Sequence, residues 1–589
     1  MSRSLEGLGL IGNCQVSALV SASGEVMWCC LPRFDAAPVF GALLDPAGGV
    51  FRIGRPDGAP GVQRYLDNTN VLETRFEGPD GSFRVVDFFP RFEQNGRTFR
   101  PTQLFRVVEP LSGTPQVSVE VAPVLGWSKA KPAKVFGSHH VQWLGYDAPL
   151  RLTTDAPLAW LEGQPFALTG PRHFVLAWGA PVEEDLAALC ARFRAATEGY
   201  WRTWVKHCDV PPLWQDEVIR SALTLKLHCA EDTGAIVAAL TTSLPEAPGG
   251  GRTWDYRYCW LRDAYYALDA FRLLGHFEER EQFLSFLLSL VGSAPDLALR
   301  PVYRLDGKSD LDESVLSHWA GWRGEGPVRL GNGAAMHQQH DVYGELVLAL
   351  APLFFDSRFR DQQTPAVLDL VTRLARKGVA LAGTPDAGIW EYRTAWTPQT
   401  FSTLMCWAGA DRMAEVARRH RPALEPEFRE AAARLQRLVR ETCVDGARRT
   451  LVTRPGTADV DASLLQALPL RFFARGDPLA SGTIDAVVAD LSIDGWLQRY
   501  RHDDGFAHHR VAFTICTFWL VQALVVAGRR DEAREVMTRA CAVAPPLGLW
   551  SEDLDPRSGT LWGNYPQAYS HVGLIHAAFA AAPAWSELV

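Results

Sequence analysis

Residues 261–275 read Leu-Arg-Asp-Ala-Tyr-Tyr-Ala-Leu-Asp-Ala-Phe-Arg-Leu-Leu-Gly. Apolar side chains recur there at steps of three and four residues, which is the spacing of one buried face of an α-helix. Gly275 is well suited to end this helix, because glycine adopts the left-handed conformation of a helix C-terminus without strain. The stretch therefore predicts a helix whose first turn carries two adjacent charged residues, Arg262 and Asp263.

The same helical spacing recurs in about twelve segments between Trp214 and the C-terminus. These segments lie near residues 214–230, 258–274, 278–292, 334–351, 365–380, 399–417, 425–443, 459–470, 483–497, 512–527, 530–541 and 567–581. Consecutive helices with short connections are typical of stacked helical hairpins. An open α-solenoid is the alternative, but the chain has no fixed repeat length, which solenoids normally show. We therefore predict an (α/α)6 barrel over residues 211–589.

The first 182 residues have a different pattern, with short apolar runs and frequent turn signals. Val117, Val119 and Val121 alternate with Ser118 and Glu120, the period of a half-buried strand. Further runs lie near residues 16–20, 83–88, 103–108, 140–144 and 173–178, and the second of these follows the turn sequence Gly-Pro-Asp-Gly at 78–81. We predict a β-sandwich domain over residues 1–182 and a linker helix over 183–210, so that the whole chain is a multidomain α+β protein.

Composition limits the partners and the compartment. The 589 residues include 67 acidic and 59 basic side chains, a net charge of −8, which argues against nucleic acid as a partner. No run approaches the roughly 18–20 apolar residues that span a membrane, and the N-terminus lacks a secretory signal pattern. Eleven scattered cysteines without CxxC spacing fit a reducing cytoplasm. The 20 tryptophans are compatible with a packed core or with a cleft that stacks on sugar rings.

Three clusters carry candidate chemistry. In the first, residues 253–263, Arg262 and Asp263 supply a planar donor fork and a carboxylate that together suit sugar hydroxyls, although a surface ion pair is an alternative. In the second, residues 386–393, Glu391 follows Trp390; an indole neighbour desolvates a carboxyl, raises its pKa and suits it to act as a general acid. A solvated glutamate at the end of a loop is equally compatible with that sequence.

The third cluster, residues 548–556, places Glu552 among three carboxylates in a loop bounded by Gly and Pro. It suits a catalytic base or a cation site, and a solvated acidic turn is the simpler alternative. Two carboxylates from separate loops at one end of a barrel are what inverting glycoside hydrolysis requires, at a separation of about 6.5–9.5 Å.

Two histidine pairs are weaker candidates. His337 and His340 lie one helical turn apart, a spacing that a metal site can use. His508 and His509 form a doublet in a Gly/Asp loop. Structural or substrate-facing roles fit both pairs better than metal binding, so we predict no metal and no cofactor.

The chain resembles glycoside hydrolase family 15 almost from end to end. The resemblance rests on these clusters together with Ile11-Gly12-Asn13 and residues 28–35, 326–332 and 563–568. This glucoamylase-like family also includes bacterial glucodextranases and trehalases. The resemblance implies an N-terminal super-β-sandwich, a linker helix and a catalytic (α/α)6 barrel.

The resemblance also implies roles for individual residues. Glu391 corresponds to the general acid and Glu552 to the general base, while Arg262 and Asp263 correspond to the pair that holds the nonreducing-end glucose. The residues expected in the wall of the pocket are Trp254, Trp260, Trp322 and Trp390. Arg329 and the loop 33–35 are further candidates that equally suit a bracing role.

One segment departs from the family pattern. Residues 398–407 read Pro-Gln-Thr-Phe-Ser-Thr-Leu-Met-Cys-Trp and lack the Arg-His pair and the Ser-Lys step that many members carry, which alters the expectation for the leaving-group subsite. The sequence does not specify the oligomeric state, the number of outer subsites or a need for a cation or phosphate.

The activity that we expect is that of an inverting, exo-acting α-glucoside hydrolase, which releases β-glucose from trehalose or a short α-gluco-oligosaccharide. Isomaltose and malto-oligosaccharides are alternative substrates. A glycoside phosphorylase and a noncatalytic sugar-binding protein are alternatives from other classes, and the presence of both Glu391 and Glu552 argues against each.

Overall fold

The computed structural model describes residues 4–294, 296–502 and 511–588. Its N-terminal part is built from antiparallel strands. They are β1 (Leu8–Gly12), β2 (Ser17–Ser21), β3 (Val26–Cys30), β4 (Pro38–Phe40), β5 (Val50–Gly54), β6 (Val62–Tyr65), β7 (Leu72–Gly78), β8 (Gly81–Phe88), β9 (Phe92–Gln94), β10 (Arg97–Phe99), β11 (Gln103–Gly113), β12 (Gln116–Ala122), β13 (Lys134–Phe136), β14 (His140–Trp143), β15 (Leu150–Thr154), β16 (Phe166–Ala167) and β17 (Arg172–Trp178).

These strands form a sheet of order β13-β14-β15-β17-β11-β8-β7-β6 and smaller sheets of order β1-β2-β3-β4 and β16-β12-β5. The runs read as strands from the sequence are strands in the structure. The turn sequence at 78–81 closes the β7–β8 hairpin, with Gly78 paired to Gly81. In β12 the side chains of Val117, Val119 and Val121 are buried, as their alternation predicts.

A helix, α1 (Leu186–Lys206), connects the strands to a helical part, and the Asp185 side chain caps its N-terminus by accepting from the backbone N–H of Ala188 at 2.7 Å. The helices that follow are α2 (Gln215–Lys226), α3 (Leu261–Leu273), α4 (Glu278–Ser293), α5 (Asp341–Leu350), α6 (Pro365–Leu381), α7 (Thr400–His420), α8 (Glu425–Thr442), α9 (Pro478–Leu491), α10 (Thr514–Val526), α11 (Arg530–Ala542) and α12 (Ala568–Ala581). No helix among the described residues has the length and apolar character needed to cross a membrane.

One predicted segment, near 483–497, is displaced: α9 begins at Pro478 and ends at Leu491, and residues 492–497 form a short hairpin. Every other predicted helical segment contains one of these helices or most of it, with one exception. The segment near 459–470 contains a 3₁₀ helix, Ala462–Ala467, which the Asp461 side chain caps. The segment near 334–351 becomes α-helical only at Asp341, because the preceding residues form a short 3₁₀ helix, Gly333–Met336, and a loop that leads into the pocket described below.

Contacts between helices form a closed ring. Along it, α3 contacts α5, α5 contacts α7, α7 contacts the 3₁₀ helix Ala462–Ala467, that helix contacts α10, α10 contacts α12, and α12 contacts α3. The ring helices α10 and α12 are apolar and buried along most of their length. By contrast, α8 contacts α7 from outside the ring and buries a single stripe that includes Phe428, Leu435 and Val439.

Short hairpin strands connect these helices at their ends. They are β18 (Cys229–Ala230), β19 (Ala235–Ile236), β20 (Cys259–Trp260), β21 (Val302–Tyr303), β22 (Ser314–Val315), β23 (Arg329–Leu330), β24 (Pro385–Asp386), β25 (Thr397–Pro398), β26 (Val444–Asp445), β27 (Thr450–Leu451), β28 (Ser492–Ile493), β29 (Trp496–Leu497), β30 (Ala512–Phe513), β31 (Asp553–Leu554) and β32 (Leu561–Trp562). The sheet β30-β31-β32 and the pair β24–β25 hold the two loops that carry the candidate carboxylates.

The N-terminal part braces the loop that enters the pocket. Arg257 pairs with Asp255 at 2.7 Å and donates to the carbonyl oxygen of Ala36 at 2.7 Å. The loop 33–35, a candidate for the site, therefore lies at this junction, where Arg33 pairs with Asp35 at 3.0 Å. This contact fixes the segment that carries Trp254, Tyr256 and Trp260.

Candidate active site

A pocket opens where the inner helices α3, α5, α10 and α12 begin. The residues that line its inner part are Ala238, Tyr256, Trp260, Arg262, Asp263, Ile389, Trp390, Glu391, Arg499, Phe513, Glu552, Gln567 and Tyr569. An outer part shares Tyr256, Trp390, Glu391 and Arg499 and adds Glu246, Arg252, Trp254, Asn332, Tyr392 and Arg393. The structure thus brings both predicted carboxylates, Glu391 and Glu552, to one pocket.

Glu391 sits in a tight turn. Its own backbone is left-handed, with φ 59°, and its N–H donates to the carbonyl oxygen of Gly388 at 3.1 Å. A left-handed non-glycine residue costs about 1–3 kcal/mol, so the surrounding contacts must hold this conformation. β24 and β25 pair on either side of the turn and provide that support.

Three donors converge on one oxygen of Glu391. Oε1 accepts from Trp260 Nε1 at 2.7 Å, from Gln339 Nε2 at 3.2 Å and from Arg262 Nη2 at 3.3 Å. No hydrogen bond from the described residues engages Oε2. A proton on this carboxyl group therefore belongs on Oε2, the oxygen left available to a leaving group.

The electrostatics of Glu391 differ from the sequence prediction. Burial raises the pKa of Glu391, as expected beside an indole, but the Arg262 and His337 charges and the donors from Gln339 and Trp260 outweigh burial. The net pKa lies below the ordinary value for a glutamate. The prediction of a raised pKa was wrong because it counted the desolvation and not the guanidinium, which comes from a distant part of the sequence.

Glu552 has the opposite environment. Its side chain is 1% exposed, and Oε1 accepts from Tyr256 Oη at 3.0 Å and from Arg499 Nη2 at 3.2 Å. The same Arg499 pairs with Glu246 at 2.9 Å and with Asp553 at 3.1 Å, so that three carboxyl groups share one guanidinium. Burial and the Glu246 charge raise the pKa of Glu552 to about 8, against the opposing effect of Arg499.

Two aromatic residues connect the carboxylates. Tyr256 donates to Glu552, Trp260 donates to Glu391, and the two rings contact each other edge to face with centroids 5.3 Å apart. Both belong to the segment that Arg257 braces against the N-terminal part. The relative position of the two carboxyl groups is therefore fixed by one short, buried stretch of chain.

Arg262 and Asp263 lie on the floor of the inner pocket, at the start of α3. The Arg262 guanidinium donates to Gln339 Oε1 at 2.7 Å and lies 4.0 Å from Asp263. Burial raises the pKa of Asp263 to about 7, although Arg262 opposes this shift. The pair is buried within the pocket rather than exposed, which suits it to bind a polar ligand.

The predicted tryptophans divide into two groups. Trp260 and Trp390 line the inner part, while Trp254 lines the outer part and donates from Nε1 to Glu246 at 3.1 Å. Trp322 lies elsewhere: it is fully buried against Trp562, with ring centroids 5.2 Å apart. The expectation that Trp322 lines the pocket was therefore wrong, because a core indole and a cleft indole have the same sequence signature.

Arg329 contacts Trp254, a residue of the outer pocket, but does not itself line the pocket. Its guanidinium lies 4.8 Å from the Trp254 ring centroid, and Arg393 lies 3.9 Å from the same centroid. Glu313 bridges the two arginines, at 2.7 Å from Arg329 and 2.8 Å from Arg393. Arg329 thus supports Trp254 and is not among the residues that line either part of the pocket.

The histidine pair His337 and His340 has separate partners. The backbone N–H of His340 donates to Asp386 at 2.8 Å and its ring contacts Thr384, whereas His337 lies beside Trp396 and contributes positive charge near Glu391. Within the described ranges, no group of three His, Cys, Asp or Glu residues is arranged to hold a metal ion. His508 and His509 lie outside the described residues.

Sequence reasoning missed several residues of the pocket. Arg499, Glu246 and Gln339 have no motif around them that points to a site, and they reach the pocket from three separate loops. Arg393 belongs to the cluster 386–393 but had no predicted role. In the altered segment at 398–407, Thr403 is buried in α7 and donates to the carbonyl oxygen of Gln399, and it is not among the residues that line either part of the pocket. Arg393 stands in the outer wall instead.

Comparisons with known proteins agree with this architecture. A family model described as glycosyl hydrolases family 15 matches residues 214–535, and a model described as trehalase-like, N-terminal, matches residues 1–160. A trehalase of Mycolicibacterium smegmatis is 34% identical, over 97% of this chain and 90% of that protein. A trehalase of Thermoplasma volcanium is 32% identical, over 97% of this chain and 92% of that protein.

Among solved structures, a bacterial glucoamylase in complex with acarbose has a similar fold. The TM-score is 0.65 at 15% sequence identity, and the likeness covers 99% of this chain and 94% of the glucoamylase chain. At that identity the likeness concerns the fold alone, an N-terminal region rich in sheet followed by a helical domain.

Proposed function

The chain belongs to glycosyl hydrolase family 15, and from that premise we propose that it hydrolyses trehalose to two glucose molecules with inversion at the attacked anomeric carbon. The observation that carries the proposal is the convergence of Glu391 and Glu552, from separate loops, on one pocket. Relatives named trehalase match nearly the whole chain, which supports trehalose over isomaltose and malto-oligosaccharides.

The proposal includes an (α/α)6 barrel over residues 211–589, after a β-sandwich over 1–182 and a linker over 183–210. The closed ring of six inner helices, with the remaining helices outside it, supports this architecture. It also includes a cytoplasmic location, which fits the cysteines, since all eleven are free thiols.

In the proposed reaction Glu391 acts as the general acid. Its Oε2 gives a proton to the glycosidic oxygen as the bond to the anomeric carbon breaks, and the leaving glucose departs with that proton. Trp260, Gln339 and Arg262 hold Oε1 and so orient the carboxyl group. Glu552 acts as the general base: it accepts a proton from a water molecule whose oxygen attacks the opposite face of the same carbon.

The proton distribution of the free site must change before this step. In the free site the pKa of Glu391 is lowered, whereas burial raises the pKa of both Glu552 and its neighbour Asp553. The negative charge is therefore favoured on Glu391, and the neutral form is favoured in the cluster that contains Glu552. We assign Arg262 and Asp263 to the hydroxyl groups of the first glucose. Those hydroxyl groups donate to the Asp263 carboxylate, which stabilises it, and their oxygens accept from the Arg262 guanidinium, which weakens its hold on the Glu391 carboxylate.

The outer part of the pocket receives the second glucose. Glu246, Arg252, Asn332 and Arg393 offer donors and acceptors for hydroxyl groups beside the Trp254 ring. A pocket with two such parts fits a disaccharide. A phosphorylase needs no second carboxylate at the position of Glu552, and a noncatalytic protein needs neither carboxylate, so both alternatives are disfavoured.

Proton NMR of a trehalose digest in phosphate-free buffer tests the proposal. Inverting hydrolysis produces one β-glucose and one α-glucose per turnover, so their early signals are expected to be equal. A retaining enzyme would release only α-glucose. If trehalose is not consumed but maltose or isomaltose is, the substrate assignment is wrong and the family mechanism still stands.

A further inference from the structure

Two buried carboxyl groups below the pocket play no part in the mechanism above. Asp341 is the first residue of α5, and Glu345 follows one helical turn later on the same face. Both residues are 0% exposed, and neither carboxyl group accepts a hydrogen bond from a side chain among the described residues. Burial raises the pKa of Asp341, while Arg262 and the backbone N–H groups at the start of α5 oppose this shift. Burying a carboxyl group without donors is costly, so this placement calls for an explanation.

Asp341 faces Arg262. Its Oδ2 lies 3.6 Å from Arg262 Nη1, while Arg262 Nη2 lies 3.3 Å from Glu391 Oε1 on the side of the pocket. The guanidinium therefore stands between the general acid and a buried carboxylate. Asp341 also begins a helix, where the N-terminal backbone dipoles favour a negative charge.

Glu345 completes the group. Burial raises the pKa of Glu345 well above its ordinary value, and the nearby Asp341 charge adds to this shift. A neutral carboxyl group is a hydrogen-bond donor as well as an acceptor. The Arg262 cation interacts with four carboxyl groups, those of Asp263, Asp341, Glu345 and Glu391. One positive charge cannot balance four negative charges in a buried site, so some of these carboxyl groups must keep their protons.

Two other buried polar atoms, Tyr569 Oη and Gln466 Nε2, lack partners among the described residues. The Tyr569 hydroxyl is close enough to Glu345 and Arg262 to interact electrostatically with both. Tyr266 connects Tyr569 with Gln466, because its hydroxyl donates to Gln466 Oε1 at 3.3 Å and its ring lies 5.4 Å from the Tyr569 ring. A polar region of this kind suits ordered internal water, which commonly satisfies buried polar groups.

We propose that Asp341 and Glu345 are positioning residues for Arg262: the Asp341 counter-charge shares the guanidinium with Glu391, so that Arg262 stabilises the Glu391 carboxylate less than it would alone, and Glu345 holds Asp341 through internal water. Without that counter-charge, Arg262 turns to Glu391 and keeps its carboxyl group ionised. Proton donation to the leaving group then fails. This inference rests on the proposed role of Glu391 as the general acid.

Two substrates separate this role from a purely structural one. Trehalose needs a proton on its leaving oxygen, whereas α-glucosyl fluoride loses fluoride with little help from an acid. For Asp341→Asn we expect kcat on trehalose to fall about 100-fold, with KM within about threefold, and kcat on α-glucosyl fluoride to fall less than about fivefold. Equal losses on the two substrates would overturn the proposal.

Variants of Glu345 test whether this residue holds Asp341 in place. Glu345→Gln keeps a neutral donor and is expected to stay within about threefold of the parent on trehalose, whereas Glu345→Leu is expected to lose about tenfold on trehalose and little on the fluoride. If the Gln and Leu variants are equally impaired, the water-mediated contact is wrong. Should Asp341→Asn fold poorly, the ratio of the two rates in Glu345→Leu tests the positioning role, and equal losses on trehalose and on the fluoride in that variant would overturn it.

A matched control is Glu279→Gln, which alters another buried carboxyl group, paired with Lys226 at 2.8 Å away from the pocket. It is expected to lower Tm without changing the ratio of kcat on the two substrates. Glu391→Gln, measured in parallel, tests the proposed function itself. Equal losses in that variant would refute the acid assignment, whereas equal losses in Asp341→Asn alone would refute only the positioning role.

Discussion

The surroundings of Glu391 and Glu552 differ in the sign of the charge that each carboxyl group meets. Three donors, Arg262 among them, converge on one oxygen of Glu391, while Glu552 shares Arg499 with two further carboxyl groups, Glu246 and Asp553. The Glu391 side chain is 22% exposed and that of Glu552 is 1% exposed. Burial acts to raise the pKa of both, yet the net pKa falls for the first and rises for the second. Burial alone therefore does not assign acid and base, because the neighbouring charges decide the direction of each shift.

This contrast has a mechanistic consequence. The free site disfavours the neutral form of the group that must act as the acid and the charged form of the group that must act as the base. Substrate binding must reverse both preferences.

Replacement of the base is expected to have the largest effect. Glu552→Gln removes the group that accepts the proton of water, so kcat is expected to fall by about 10⁴-fold on trehalose and comparably on α-glucosyl fluoride. Azide, which attacks without losing a proton, is expected to restore part of the rate and to yield a glucosyl azide detectable by mass spectrometry. Turnover at the parent rate would show that the base lies elsewhere.

Replacement of the acid is expected to be selective. Glu391→Gln removes the proton donor, so kcat on trehalose is expected to fall by about 10³-fold, whereas the loss on α-glucosyl fluoride stays within about tenfold. Steady-state rates on the two substrates measure this difference. A loss of the same size on both would contradict the role of Glu391.

The pH profile of kcat/KM distinguishes the two surroundings directly. With the pKa of Glu391 below its ordinary value and that of Glu552 about 8, the acidic limb reports Glu391 and the alkaline limb reports Glu552. The Glu246 charge raises the pKa of Glu552, so Glu246→Gln should lower that pKa and move the alkaline limb to lower pH. A shift of the acidic limb instead would show that the two pKa values have the opposite order.

The smallest effect is expected in the outer pocket. Arg393 lies 3.9 Å from the Trp254 ring centroid and holds Glu313, so Arg393→Ala removes support from the wall that faces the leaving glucose. A cation–π contact at a partly exposed site contributes about 0.5–1 kcal/mol, which predicts a rise in KM for trehalose of about two- to fivefold. The kcat for α-glucosyl fluoride, which has no second sugar, is the control and should not change.

Much of the fold was predictable because its signals are local. The period of α3 and the turn at 78–81 are both set by neighbours in sequence, and both appear as predicted. The segment near 459–470 was harder, because six residues of 3₁₀ helix capped by Asp461 carry too few turns to reveal their period. The late start of α5 at Asp341 had no local signal either, since the residues before it are shaped by the pocket.

The site was predictable in its motifs and not in its electrostatics. Glu391, Glu552, Arg262 and Asp263 stand in recognisable segments, and all four line one pocket. Arg499 and Glu246 set the charge around the base, yet they come from loops separated by about half of the chain and have no motif of their own. Trp322 shows the converse, because its sequence context resembles that of the pocket tryptophans while the structure buries it in the core.

Residue spacing and short motifs were enough to predict the order of strands and helices, the family and the pair of glutamates. No local pattern shows which charges meet. Whether Glu391 faces a guanidinium and Glu552 faces other carboxylates depends on side chains brought together by closure of the helical ring, and electrostatic interactions depend on distance in space and on burial. For the same reason, the buried pair Asp341 and Glu345 became visible only in the folded chain.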